Sequence, residues 1–190
     1  MGYRYYLYKV KKDELNKIRN MTNSDLYIYT KSNDEDNYWS PLDLFRDKCI
    51  YELGEIDNTM WKILKNNRID EIFTQEEVKE HMEEYDNGIL NADGFLKIME
   101  TYKEKIVSYL NDLLVDGYKE SWRENKTSYE KMKEYLEEKI RFITVSDEYD
   151  FNLKNERITG SWTFEYSLFE LIRLYKTINW DNYYVIYLAY

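Results

Sequence analysis

The two ends of this chain are β-prone and its middle is helical. Residues 3–10, YRYYLYKV, alternate Tyr3, Tyr5 and Leu7 with Arg4, Tyr6 and Tyr8. That is the period-two pattern of a strand with two distinct faces. Residues 182–190, NYYVIYLAY, form a run of aromatic and branched side chains, which suit a pleated surface. The arrangement predicts an α+β fold. A small, mainly antiparallel sheet should contain the strands Tyr3–Val10 and Tyr183–Tyr190, packed by about five to seven helices. Leu7, Phe169, Ile172 and Ile186 are expected to carry the helix-to-sheet packing.

Between the ends, apolar residues recur at steps of three and four. The strongest run spans 92–116, with Phe95, Ile98, Met99, Tyr102, Ile106, Tyr109, Leu110 and Leu113 on one stripe and Gly117 as the stop. Met132, Tyr135, Leu136, Ile140 and Ile143 repeat the pattern, with Glu137 and Arg141 spaced to pair on the outer face. Asp13 is placed to cap a short helix. Ser40-Pro41 offers a cap followed by proline at the first helical position. Leu42, Phe45, Cys49 and Leu53 then read as one helical face ended by Gly54. Thr74-Gln75-Glu76-Glu77 and Ser167-Leu168-Phe169-Glu170 each read as a capping box. Ile158, Gly160, Trp162 and Phe164 alternate with polar residues and read as a strand.

The chain has one proline, no Gly/Ser linker and no repeat, so residues 1–190 are expected to form a single domain. Its 43% hydrophobic and 34% charged content belongs to a folded protein rather than a disordered one. The 21 tyrosines suit half-buried positions and interfaces, although AT-rich coding also enriches Tyr, Lys, Asn and Ile. A single cysteine, Cys49, allows no internal disulfide and fits a reducing, cytoplasmic setting. The first apolar run is short and leads into KKDE, unlike a signal peptide. No stretch reaches the roughly 18 apolar residues of a membrane span. Gly2 lacks the Ser or Thr that myristoylation wants, because Tyr6 stands there.

DNGILNADGFLKIME, residues 86–100, has the outline of a calcium loop. With Gly94 at the sixth position, Asn91, Asp93, Leu96 and Glu100 all fit. Ile89 then takes the first ligand position and cannot ligate, while Lys97 brings a cation into the site. The better reading makes Asp86-Asn87-Gly88 a turn and Asn91 or Asp93 a helix cap. One histidine, His81, and Cys49 cannot build an ordinary zinc site. His81 lies among Glu80, Glu83 and Glu84. It reads as a solvated residue more readily than as a general base. Cys49 reads as a buried, inert thiol. No nucleophile, zinc-protease, phosphate-loop or dinucleotide motif is present. Paired carboxylates are too abundant to mark an acid/base site. No cofactor, metal or catalytic residue is expected.

MGYRYYLYKV at the start and SWTFEYSLFELIRLYKTINWDNYYVIYLAY at the close carry a resemblance. Together they are similar to a set of small bacterial and phage proteins that open with MGYR and close on an S-W-x-F-E-Y, F-E-L, Y-K-T, W pattern. The resemblance implies that Met1 is the native start and that the two ends form a shared scaffold. It implies no activity.

Charge supplies the functional expectation. The net charge is −10, unevenly spread. Residues 1–31 hold seven basic and three acidic groups, residues 32–60 two and eight, and residues 75–86 one and six. Such a chain is repelled by nucleic-acid phosphates and steered toward a basic protein surface. The leading expectation is a non-enzymatic interaction protein, an inhibitor of the anti-CRISPR or anti-defence type. It would occupy the basic, nucleic-acid-binding surface of a host protein such as a nuclease. Its binding residues would be Asp34, Glu35 and Asp36 in a polar loop, with Glu76, Glu77, Glu80 and Glu84 on a helix. A toxin-immunity protein uses the same electrostatics. An enzyme or small-molecule binder with an aromatic pocket is the alternative of another class.

Overall fold

In a computed structural model, the described residues are 4–30, 40–112, 134, 137 and 162–189. They form seven helices, a short 3-10 turn and a four-stranded antiparallel sheet. The fold is α+β. The strands are β1 (Arg4–Lys11), β2 (Cys49–Glu55), β3 (Asp86–Leu90) and β4 (Tyr183–Ala189), and their spatial order is β2-β1-β4-β3. The two terminal strands are therefore the central pair. They run antiparallel from Tyr5 opposite Ala189 to Lys11 opposite Tyr183.

The helices are α1 (Lys12–Arg19), α2 (Asn23–Thr30), α3 (Pro41–Phe45), α4 (Asn58–Asn67), α5 (Glu76–His81), α6 (Ala92–Asp112) and α7 (Trp162–Thr177). The chain divides into two compact units. One comprises Met1–Ile98 with Thr177–Tyr190, and the other Met99–Lys176. The first holds the whole sheet. The second includes most of α7, where buried Glu170 pairs at 2.7 Å with the more exposed Arg173 one turn on.

In the sheet unit, register decides which residues share a face. Tyr8 stands opposite Ile186, and Ile186 opposite Ile89. These three pack into a core with Leu15 and Ile18 of α1, Leu26 of α2, Phe45 of α3 and Val78 of α5. The Tyr8 and Phe45 rings lie 5.9 Å apart within it. Leu7 stands opposite Tyr187, and Tyr187 opposite Gly88, on the other face. Leu7 and Ile186, expected to act together, thus serve opposite faces. Ile172 is buried in the other unit, and the side chain of Phe169 lies outside the described residues.

Several local expectations are corrected by the tertiary structure. The helix from Pro41 stops at Phe45, and Cys49 and Leu53 belong to β2. Cys49 is exposed rather than buried, although partial desolvation still holds its thiol above the usual range. Asp86-Asn87-Gly88 is not a turn but the start of edge strand β3. Its pairing with β4 overrides the local preference for a bend. Trp162 and Phe164 are helical, because α7 begins five residues before the expected cap at Ser167. Asp13 sits in the first turn of α1 without capping it. The Ser40 cap does form, its hydroxyl accepting from the Leu42 amide at 3.3 Å. Ile158, Gly160, Met132, Arg141 and Gly117 lie outside the described residues.

The loop-like glycines have packing roles. A Cβ on Gly94 would sit 2.4 Å from the Asn67 carbonyl oxygen, so glycine lets α6 begin against the end of α4. Asn91 caps that helix, its Oδ1 accepting from the Gly94 amide at 2.9 Å. A Cβ on Gly88 would strike the Tyr187 ring at 2.6 Å and the Arg68 side chain at 2.8 Å. Both therefore cross β3 where it lacks a side chain.

Candidate functional site

Helix α5 is anchored by Val78, which is fully buried, and by Met82 just beyond its end. That fixes Glu76, Glu77 and Glu80 on the exposed side. The expected capping box does not form. The Thr74 hydroxyl instead donates to the Arg19 carbonyl at 2.7 Å, and the Thr74 amide bonds the same oxygen. The segment before α5 is thereby tied to the end of α1. Arg19 also forms an ion pair with Asp70.

The helix ends at His81, so Glu84 lies in the following turn rather than one helical step beyond Glu80. The turn curls back before β3. It brings Glu84 to the same cleft as Glu76 and Glu80. The cleft encloses about 530 Å³. Its carboxylates are Glu71, Glu76, Glu80, Glu83, Glu84 and Asp86, against the cations Lys65, Arg68 and Lys79. Tyr5, Trp61, Phe73 and Tyr85 supply aromatic lining.

Of the other expected binding residues, Glu77 faces away from the cleft. Its carboxylate accepts from the Asn23 amide at 3.2 Å and its carbonyl from the Asn23 side chain, so it anchors the start of α2. Asp34, Glu35 and Asp36 lie outside the described residues. His81 is exposed at the end of α5. Glu71 and Asp86, which also line the cleft, were missed because neither falls in the acidic helical row. Only the β3 pairing brings Asp86 to this wall.

The three cations are already engaged. Lys79 pairs with Glu76 at 3.0 Å, and that hydrogen bond and charge raise its pKa. Lys65 lies over the Trp61 ring, 4.8 Å from its centre. Arg68 donates to the Asn87 carbonyl at 2.7 Å and to Glu71 at 2.8 Å. Glu80, Glu83, Glu84 and Asp86 have no ion pair among the described residues. Asp86 accepts one hydrogen bond, from the Tyr5 hydroxyl at 2.8 Å. The cleft therefore carries a surplus of negative charge beside aromatic surface.

Beneath this wall lies Tyr187. It is fully buried, and its hydroxyl lies beside the Arg68 guanidinium at a geometry poorer than that of an ordinary hydrogen bond. Burial raises its pKa most and the charge of Asp86 adds to the rise, while the charge of Arg68 and a hydrogen bond from its side chain oppose it. The Arg68 guanidinium thus reaches toward Tyr187 Oη while its two well-formed bonds go to Asn87 and Glu71.

Among the described residues no group of three or more metal-ligating side chains comes together. No helix there is long and apolar enough to cross a membrane. No protein family, curated protein or solved structure matches this chain.

Proposed function

We propose that this protein is a non-enzymatic interaction protein whose acidic cleft receives the basic surface of a partner protein. The supporting observation is the gathering of Glu76, Glu80 and Glu84 with Glu71, Glu83 and Asp86 around one cleft that holds only three cations. A low-dielectric wall beside concentrated charge focuses the field and speeds association with an oppositely charged partner. The sharpest form of the reading is an inhibitor of the anti-CRISPR or anti-defence type that occupies a nucleic-acid-binding site. The decisive experiment compares capture from the native host by the natural chain and by a variant with Glu76, Glu80 and Glu84 changed to Lys. A partner held by the first and lost by the second, and displaced by nucleic acid, supports the proposal. A partner retained equally by both overturns it. The aromatic lining favours a second reading, a small organic cation held against Trp61 and Tyr85. Native mass spectrometry of the purified protein would detect it.

A further inference from the structure

The sheet treats its two edges differently. Beyond β3 the chain supplies a cover. The Ile69 amide donates to the Ile89 carbonyl at 2.8 Å, and the Ile89 amide to the Asp70 carbonyl at 2.9 Å. On the other side β2 ends the strand order. Among the described residues, Ile50, Glu52, Leu53, Gly54 and Glu55 make no backbone hydrogen bond away from β1, while the Tyr51 backbone bonds the Cys49 thiol. An open edge is a template for another strand, and a chain that does not use one commonly covers it, as β3 is covered here.

The register gives this edge a charge pattern. Two bulges shift β2 against β1, so that Cys49 stands opposite Tyr8, Glu52 opposite Tyr6 and Glu55 opposite Arg4. Opposed residues project to the same face. These three therefore line one side of the edge, and all are exposed. Their partners are alternate residues of β1, which sets Glu52 and Glu55 about 7 Å apart, the repeat of a strand face. Of the two carboxylates only Glu52 has an ion pair among the described residues, an exposed contact with Arg4 at 3.4 Å. Such a contact yields readily to a competing cation. Two copies of β2 laid edge to edge would gather four carboxylates, and the bulges twist the edge away from a flat, repeated pairing. A short basic strand meets neither obstacle.

We propose, resting on the basic-partner reading above, that the outer edge of β2 takes an extended segment of the partner protein as a fifth strand, with Lys or Arg at alternate positions beside Glu52 and Glu55. Main-chain bonds hold the segment, and the carboxylate row selects it.

The test uses the full chain at low salt with heptapeptides, the length of β2. One alternates Thr with Lys, and one alternates Thr with Glu. Two more are the Thr/Lys peptide N-methylated on one or the other set of alternate residues. Calorimetry reads affinity, and hydrogen exchange reads location. The Thr/Lys peptide should bind and slow exchange in Cys49–Glu55. One of its N-methylated forms should bind about tenfold more weakly, because it loses two or three main-chain bonds. The Thr/Glu peptide should not bind. Glu52→Lys combined with Glu55→Lys should reverse that preference with the melting temperature nearly unchanged, since both groups are exposed. Equal binding of the Thr/Lys peptide and both N-methylated forms overturns the strand pairing, as does protection of residues 71–86 in place of β2. A charge preference unmoved by the double variant overturns the role of the carboxylates. A chain that dimerises without peptide and protects its own β2 overturns the proposal in favour of a second copy. The basic-partner reading fails by its own experiment, retention of the host partner by the variant with Glu76, Glu80 and Glu84 changed to Lys, whichever way the peptides bind.

Discussion

The missing Cβ of Gly94 would lie 2.4 Å from the carbonyl oxygen of Asn67. A glycine that the sequence offers as the pivot of a metal loop is instead the place where the start of α6 presses on the end of α4. Gly94→Ala should therefore destabilise the protein by about 1–3 kcal/mol, the usual cost of forcing an extra methyl into a packed contact. Denaturant melts would measure it. Titration with Ca²⁺ should give no specific heat. A micromolar affinity lost on Glu100→Gln would restore the metal reading.

Ending the chain after Asn182 should abolish folding of the sheet unit. The removed residues include β4, which pairs with β1 on one side and β3 on the other. They also take Val185, Ile186, Tyr187 and Leu188 out of the core. Insoluble protein, or loss of a cooperative melt, is the expected result. A soluble truncation melting near the native temperature would contradict the central position of β4.

Asn87→Ala should cost about 1–3 kcal/mol, the range for removing one partner of a buried hydrogen bond. The Asn87 side chain is buried, accepts from the Ile72 amide at 3.0 Å and donates to the Tyr85 carbonyl at 3.2 Å. Its loss leaves the Ile72 amide without that acceptor at the base of the cleft wall. A melting temperature unchanged within error would show that water replaces the side chain freely.

The acidic residues should separate by role. Glu80→Lys and Glu84→Lys touch exposed groups without ion pairs among the described residues, so stability should move by no more than about 0.5 kcal/mol. Glu77→Lys should cost about 1 kcal/mol, because the Asn23 amide loses its acceptor. The first two should slow association with a basic partner and flatten its salt dependence. Glu77→Lys should affect folding more than that rate. Equal effects of all three on stability would remove the distinction.

Alkaline stability should depend on Tyr187. Its pKa is raised in the folded protein above the ordinary value of 10.0, so the folded state holds the proton more tightly than the unfolded chain. That contribution is fully present below the unfolded pKa and is lost as pH rises toward the folded value. Tyr187→Phe should therefore lose stability less steeply above about pH 10, the unfolded tyrosine pKa, than the natural protein does. Parallel curves for the two would show that Tyr187 does not titrate in that window.

The class of fold and the two terminal strands of its sheet were legible in the sequence, whereas their place at the centre of the sheet was not. Alternation over residues 3–10 and the β-prone run at 183–190 are local signals, legible because each strand carries its own pattern. The same holds for α6, whose apolar stripe and Asn91 cap sit within one stretch of chain. The acidic character around Glu76, Glu80 and Glu84 was equally plain. Tertiary structure decided the rest. Cys49 through Glu55 and Asp86 through Leu90 became strands because partners distant in sequence supply their hydrogen bonds, and such partners leave no local trace. Leu7 and Ile186 fell on opposite faces because register, not hydrophobicity, assigns sides in a sheet. The cleft shares that origin. Its walls join residues from β1, α4, α5 and β3, and the Tyr187 ring and Arg68 side chain cross β3 where Gly88 leaves them room.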